Sequence, residues 1–383
     1  MWAKKELVTL LQKLIKIDSQ NPPGNEKEIT FFIRDYLKKL QIPFKIYEFK
    51  KNRLNLVCHL HSKKSRKALL FTPHTDTVPA SGDWKFPALS GKVYKGRIYG
   101  RGATDCKVNV AACLALIKAL KKKNIVLDNL DLVFAFCGDE ETGSLLGIKP
   151  VVNHLKDIDY GIVLDAGEFD IIVAQKGLLH LRVELFGKEA HGAYPQRGIN
   201  AVEKGVRILT DLLKHKFSYR KHALLKKPTL NIGKFQGGDK VNIVAGYAFF
   251  DLDIRYLPSM KESQITKDLE KIIKRYKIRY KIKILARQSP IEIDKNSFLI
   301  KVLGKCLREH RIPVKFKPSF GATVINFLED KGIETFSFGF GSKGCAHIKN
   351  EYVKISNLYR GVRVLEDFLT AADLALAKKL AGN

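Results

Sequence analysis

The 383-residue chain has no apolar run approaching the length of a membrane-crossing helix, for which about 20 residues are needed. Its opening, Met1-Trp2-Ala3-Lys4-Lys5-Glu6, leads into Leu7, Leu10, Leu11, Leu14 and Ile15 with charged residues between. That spacing reads as an amphipathic helix and not as a signal peptide, so a cytoplasmic location is expected. The six cysteines (Cys58, Cys106, Cys113, Cys137, Cys306 and Cys345) form no C-x-x-C pair, and several sit in apolar stretches. They read as reduced and non-structural. Proline and glycine are not in excess, hydrophobic residues reach 45%, and no internal repeat or low-complexity linker interrupts the chain. Wholesale disorder is thereby excluded, and the length fits two domains, or one interrupted by another. Acidic residues are scarce beside basic ones, leaving a net charge of +29. The lysines are spread over nearly the whole chain, so a solvated surface that attracts small anions is the reading adopted over nucleic-acid binding. The densest patches, Lys63-Lys64-Ser65-Arg66-Lys67 and Lys121-Lys122-Lys123, fall in expected turns.

What the chain does have is an alternation of helix and strand. Asn25-Glu26-Lys27-Glu28 resembles a capping box. Ile29, Phe32, Ile33, Tyr36, Leu37 and Leu40 then recur at helical spacing. Apolar strands are expected over 54–60, 68–72, 132–137 and 160–164, with a long apolar helix over 108–120. Continuous apolar strands between helices predict an α/β fold with a mostly parallel, largely buried sheet. From 180 to 285 the order becomes β-α-β-β-α-β, that of a ferredoxin-like α+β unit. It predicts a domain inserted at 177–287 in a catalytic domain made of 1–176 and 288–383. The α/β pattern resumes with a helix over 298–309 and a strand over 335–338.

Acidic and histidine residues cluster just past the C-terminal ends of the expected strands, the rim where open α/β sheets bind ligands. His74 and Asp76 follow one strand, Glu140 and Glu141 a second, and Asp165 a third; Asp105 precedes the long apolar helix, and His347 follows a glycine-rich turn. Singly, each has an ordinary explanation as a cap, a solvated edge or a surface histidine. Their shared rim does not. Oxygen and imidazole donors without a thiolate cluster suit catalytic zinc, cobalt or manganese.

The motifs His74-Thr75-Asp76-Thr77-Val78-Pro79, Gly100-Arg101-Gly102-Ala103-Thr104-Asp105, Gly138-Asp139-Glu140-Glu141-Thr142-Gly143, Leu164-Asp165-Ala166-Gly167-Glu168, Ala190-His191-Gly192-Ala193-Tyr194-Pro195 and His347-Ile348-Lys349-Asn350-Glu351 follow one another along the chain. In order and spacing this series resembles the M20 metallopeptidases and deacylases, the family of acetylornithine deacetylase, succinyl-diaminopimelate desuccinylase, aminoacylase and carboxypeptidase G2. The resemblance implies two divalent ions, zinc first among them. His74, Asp105 and Asp165 would hold one, and Asp105, Glu141 and His347 the other. Asp76 would accept the second ring N–H of His74 and fix its tautomer. Glu140, not a ligand, would be the general base that takes a proton from the water shared by the ions and passes it to the leaving nitrogen. By the same resemblance, His191 would reach the active site of a neighbouring subunit and stabilise the oxyanion. That implies a homodimer formed through the inserted domain, which would also be a lid. Arg255 would bind the substrate carboxylate, and Asn242 would lie near the substrate. For Arg255 the ordinary alternative is a salt bridge to Asp251 or Asp253, and for His191 a helix-flanking surface position, given the proline and glycine around it.

The implied reaction is removal of the acyl group from an N-acyl amino acid. Asn21-Pro22-Pro23-Gly24 and Ala190-His191-Gly192-Ala193 look most like the deacetylase and desuccinylase branch. A di- or tripeptidase, or a carboxypeptidase, is the alternative. A non-enzymatic basic binding protein on the same fold is disfavoured because every implied ligand and the base are present. One stretch departs from the family. In Gly321-Ala322-Thr323-Val324-Ile325-Asn326, Val324 and Asn326 stand where many relatives carry an acid and an arginine, which bears on the substrate and not on the metals. Gly339-Phe340-Gly341-Ser342-Lys343-Gly344 matches a dinucleotide fingerprint, but His347 follows it in place of a clear helix, so it reads as a turn that delivers a ligand. His59 and His61 would share one face of a strand. With no acid nearby in sequence they read as surface residues, and Cys106 reads as a passenger beside Asp105.

Overall fold

The computed structural model describes residues 4–122, 125–319, 321 and 323–381. Lys123 and Ala322, named above, lie outside them, as do Met1, Trp2 and Ala3. The chain divides into two compact units, one of residues 1–173, 293–317 and 323–383, the other of residues 174–292 and 318–322.

The first unit is built on a mixed sheet. Its strands run in the order Phe44–Lys50, Arg53–Leu60, Leu130–Phe136, Lys67–Pro73, Tyr160–Leu164, Glu334–Phe340 and Glu168–Gln175. The four central strands, from Leu130–Phe136 to Glu334–Phe340, are mutually parallel, whereas the strands on either side pair antiparallel. Parallel strands need helical crossovers on both faces, which is why Leu69, Leu70, Phe71, Leu132, Phe134 and Ile162 are all buried. Phe71 and Phe134 stack across two of these strands at 5.4 Å between centroids. The helix Lys107–Lys121 is buried on nearly every side, packed between Lys4–Lys16 and the 27-residue helix Ile355–Ala381. Each large apolar side chain so enclosed contributes roughly 1.5–3 kcal/mol. Since the central strands run the same way, Pro73, Phe136, Leu164 and Phe340 all end at one rim. A separate three-stranded sheet of Lys92–Tyr94, Arg97–Tyr99 and Tyr352–Lys354 brings Glu351 to the loop that carries Asp105.

The second unit is an antiparallel four-stranded sheet in the order Thr229–Gly237, Tyr247–Tyr256, Gly177–Phe186 and Arg279–Gln288. Alternation sets its faces: Ala248, Phe250, Leu252, Ile254 and Tyr256 are buried in one core with residues of the helices Ala201–Lys214 and Glu262–Lys274. Phe249, Asp251, Asp253 and Arg255 turn the other way, as the period of two requires. Asn200 caps the first helix by accepting from Val202 and Glu203 N–H at 3.0 and 3.1 Å. Strand, helix, strand, strand, helix, strand is the chain order expected from the sequence. No helix among the described residues is long and apolar enough to cross a membrane.

One local expectation, the capping box, is corrected, and His59 and His61 are exposed as expected. Glu26 is the residue at the N-cap of the helix Lys27–Lys39, but no side-chain cap bond forms there. Its carboxylate is bound by Arg53 instead, at 2.7 and 2.9 Å. His61 does have an acidic partner: Asp131, 70 residues on in the chain, lies 2.9 Å from its Nδ1.

Candidate active site

The rim residues converge in the first unit. One oxygen of the Asp105 carboxylate lies 2.9 Å from His74 Nε2, and the other lies 3.2 Å from His347 Nε2. The same His347 nitrogen is 2.9 Å from Glu141 Oε2, and Asp165 Oδ1 stands 3.9 Å from His74 Nε2. Asp105 thus faces two histidines with two different oxygens, the arrangement a bridging carboxylate requires. Ligand atoms of His74, Asp105 and Glu141 lie within 4.8 Å of one another.

A metal fits these residues. The second carboxylate oxygen of Glu141 is buried without a hydrogen-bond partner among the described residues, a cost of roughly 1–3 kcal/mol that a cation would remove. His74 Nδ1 lies 3.0 Å from the Asp76 backbone carbonyl, which can only accept. The proton therefore sits on Nδ1, and Nε2 is turned to the donor set. Cys106 is no competitor for the ion. Burial pushes its thiol up to about 12, and the sulfur is taken up by His74, accepting from its N–H and donating to its carbonyl, both at 3.2 Å. Cys106 is therefore a fastener of the His74 backbone and not a passenger.

Without cations the cluster is electrostatically strained. His347 is pushed up to about 10 by its hydrogen bonds to Asp105 and Glu141. Burial opposes charge on His74, yet its contacts with Asp105 and Asp76 hold it well above its usual range. Burial alone would raise Asp105, but the bonds to His347 and His74 outweigh it and keep it ionised. Asp165 has no such bonds to a histidine, so burial and the neighbouring Asp105 charge lift it to about 6. Glu140 is raised for the same first reason, burial, with Asp165, Glu141 and Asp105 adding repulsion.

Asp76 stands beside His74 and also braces the neighbouring turn. Its carboxylate is 3.5 Å from His74 Nδ1, farther than its own backbone carbonyl. The side chain also accepts from the Glu140 and Glu141 N–H groups at 3.1 and 3.2 Å and from Asn21 Nδ2 at 2.9 Å. It holds the turn on which Glu140 and Glu141 sit. Glu351, quoted only as the end of a motif, proves to organise the Asp105 loop. Fully buried, it accepts from Arg101 Nη1 at 2.8 Å and from the Gly102, Thr104 and Asp105 N–H groups at 3.1, 2.7 and 3.0 Å. Asn109 supports Asp165 by donating to its carbonyl at 3.0 Å. Val324, at the start of the helix Ile325–Glu329, is buried and shares a recess of about 10 Å³ with His74, Glu140 and Asp165.

The remaining candidates belong to the second unit. His191 and Asn242 lie on adjoining exposed segments: the Gly192 N–H donates to the Asn242 carbonyl at 2.8 Å, and His191 bridges Ile243. Ala193 N–H donates to His191 Nδ1 at 3.0 Å, so the neutral ring carries its proton on Nε2. Arg255 is paired with Asp253 at 2.8 and 3.3 Å, while Asp251 is taken by Arg182. Arg255 also lines a cavity of about 160 Å³ together with Lys176 and Lys226.

Residues 70–371 match peptidase family M20/M25/M40. The chain belongs to this family. Among curated relatives, an uncharacterized metallohydrolase of Methanocaldococcus jannaschii is 28% identical over 95% of this chain and 99% of its own length. A succinyl-diaminopimelate desuccinylase of Buchnera aphidicola is 27% identical, covering 79% of this chain and 83% of its own. A tripeptidase from Staphylococcus aureus superposes with a TM-score of 0.77 over 97% of this chain and 99% of its own, at 22% identity, a likeness of fold. This M20 chain is accordingly a hydrolase with a group of residues able to hold metal.

Proposed function

We propose that this M20 hydrolase is a two-metal amidohydrolase that removes the acyl group from an N-acyl amino acid. The observation that carries the reading is Asp105, whose two oxygens face His74 and His347 separately while Glu140 stands unligated in the turn beside Glu141. His74, Asp105 and Asp165 would hold one ion, and Asp105, Glu141 and His347 the other. Bound there, zinc, or cobalt or manganese in its place, would polarise the scissile carbonyl and acidify water. Glu140 does the proton work. It accepts one proton from the attacking water and gives it to the departing nitrogen, so an amide and a water become a carboxylic acid and an amine. Burial that raises the Glu140 carboxyl favours the first transfer, since a more basic carboxylate takes the water's proton more readily.

His191 would donate its Nε2–H to the developing oxyanion, a role consistent with the Ala193 bond that leaves the proton there. Arg255 would bind the substrate carboxylate through the edge that Asp253 leaves open, and Asn242 would lie beside the substrate. Val241 is wholly exposed next to Asn242, and Tyr194, Ile199 and Ile243 are exposed in the same region. Such a patch suits a homodimer formed through the second unit, in which His191 would serve the other subunit's site. Six free, buried cysteines suit a reducing compartment such as the cytoplasm.

The likeness to the desuccinylase supports the deacylase reading. Val324, apolar and buried beside Glu140 where the family resemblance implies an acid, bears on the substrate, and a di- or tripeptidase is the second reading. Metal-stripped protein and its Glu140→Ala variant, assayed with and without zinc or cobalt on acetylornithine, succinyl-diaminopimelate and a dipeptide panel, test both. Metal-restored turnover of acyl amino acids, lost in the variant, is expected. Turnover of peptides alone would replace the first reading by the second, and a monomeric mass in solution would remove the proposed route for His191.

A further inference from the structure

The segment Asn21-Pro22-Pro23-Gly24, used above only as a mark of family branch, lies against the turn that carries Glu140 and Glu141. Asn21 Nδ2 donates to Asp76 Oδ2 and to Thr142 Oγ1, both at 2.9 Å. Thr142 Oγ1 in turn donates to Asp139 Oδ1 at 2.7 Å. That same Asp139 oxygen accepts from Arg53 Nη2 at 2.7 Å, and the other Asp139 oxygen accepts from Leu146 N–H at 2.8 Å. Arg53 Nε and the same Nη2 donate to the two oxygens of Glu26, which is fully buried. Two glycines make room for this contact. A Cβ on Gly24, whose φ is +78°, would strike the Arg53 guanidinium, and a Cβ on Gly138 would strike the Glu26 side chain. Asn55, two residues past Arg53, holds both ends of the loop, accepting from Gly138 N–H at 3.0 Å and donating to the Leu146 carbonyl at 2.9 Å.

Asp139 sits in the left-handed region at φ 65°, a conformation uncommon for a residue with a side chain. It is the pivot from which Glu140 and Glu141 project. A buried arginine shared by two carboxylates is costly unless its geometry is well satisfied, and here it is satisfied only when the turn has this shape. We infer that Arg53, with Glu26 and Asn21, is the positioning device of the Asp139–Thr142 turn, fixing the base Glu140 and the ligand Glu141 relative to each other. None of the three touches substrate or metal; they act through Asp139, Thr142 and Asp76. The inference rests on the two-metal reading above, but its test separates the two.

Metal-free wild type, Arg53→Met, Arg53→Lys and Thr142→Val would be titrated with Co2+, following its visible absorption, and assayed for amide hydrolysis at saturating Co2+. In Arg53→Met, removal of these outer supports is expected to weaken uptake of one Co2+ roughly 10- to 100-fold. It should also lower kcat by a similar factor, with KM within about twofold, because the ground-state contacts are untouched. Arg53→Lys restores the charge without the fork and should recover part of the loss. Thr142→Val cuts the same circuit at an exposed residue and should move both readouts in the same direction by less. It decides the matter if Arg53→Met does not fold. Folded variants with wild-type Co2+ titrations and kcat would overturn the inference. Wild-type protein that binds two Co2+ but turns over no amide would refute the amidohydrolase reading alone, leaving the Co2+ affinities to judge the device. Wild-type protein that binds no Co2+ would overturn both.

Discussion

Asp131 illustrates how much a single carboxylate can organise. It accepts from Ser62 N–H at 2.7 Å, Ser62 Oγ at 2.8 Å and Ser65 Oγ at 3.0 Å, and it lies 2.9 Å from His61. Burial works against its charge, but the Ser62 N–H and the side-chain donors prevail and hold it below the usual carboxylate range. Asp131→Asn should therefore cost roughly 1.5–3 kcal/mol at neutral pH, the worth of hydrogen bonds to a charged group. An acid with a depressed folded pKa contributes its full stability above the unfolded value near 3.9 and loses it as pH falls through the folded one. Denaturant unfolding of both proteins should show a gap that is constant above about pH 5 and narrows below pH 4. A gap unchanged by acid would mean that shape, not charge, holds this turn. The sequence hid Asp131 from His61 because 70 residues separate them. It exposed His74, Asp105, Glu141, Asp165 and His347 because each follows its own strand end or loop in a short, self-contained motif. The residues that hold them in place were illegible for the opposite reason: Arg53 meets Asp139 86 positions away, and Glu351 meets Asp105 246 positions away.

Among the elements, periodicity identified those with one strong pattern. The buried central strands lie within a few residues of expectation, as between the expected 132–137 and the observed Leu130–Phe136, and the second unit keeps the expected order of strands and helices. The three-residue strands Arg97–Tyr99 and Tyr352–Lys354 are too short to carry a period, and they matter because they deliver Glu351. The edge strand Phe44–Lys50 is covered on one side only and has no fully buried residue to mark it. The helix Ile355–Ala381 lies outside the sequence-based expectations although Leu358, Val362, Leu365, Leu369 and Leu376 form a stripe at helical spacing. It does more than pack. Its buried Asp373 accepts from the Asp128, Asn129 and Leu130 N–H groups at 3.0, 2.7 and 2.8 Å, closing the start of the central strand Leu130–Phe136. Asp373→Ala would strand those donors and should lower unfolding free energy by roughly 1.5–3 kcal/mol or more. Metal uptake should be unchanged, since the contact sits at the end of the strand opposite Glu140. A loss under about 0.5 kcal/mol, the range of an ordinary surface change, would show that water replaces the carboxylate there.

Over the whole molecule, charge sets the sharpest contrast. A chain of net charge +29 gathers Asp105, Glu140, Glu141 and Asp165 at one rim, and only cations resolve their mutual repulsion. In the metal-free protein Asp165 is lifted to about 6 by burial and Asp105. An acid whose pKa is higher folded than unfolded takes up its proton preferentially in the folded state, so this site gains stability as pH falls through about 6. His347, raised to about 10 by Asp105 and Glu141, contributes stability that is whole below about 6.5 and drains away as pH climbs through that higher value. Both effects make the metal-free protein more stable on the acid side. On the proposed two-metal reading, metal binding runs the other way, because the residues holding the ions would have to give up those protons. The stabilisation conferred by zinc, about 2.7 kcal/mol per site at a hundredfold excess over Kd, should therefore grow from pH 6 to pH 8. Thermal unfolding in a chelator and in zinc at the two pH values measures it directly. The two Tm values should draw apart as pH rises, mostly through the fall of the chelated form, and proton release on zinc addition should be larger at pH 6 than at pH 8. Tm values separated equally at both pH values would mean that the ion binds elsewhere than among His347, Asp105 and Asp165.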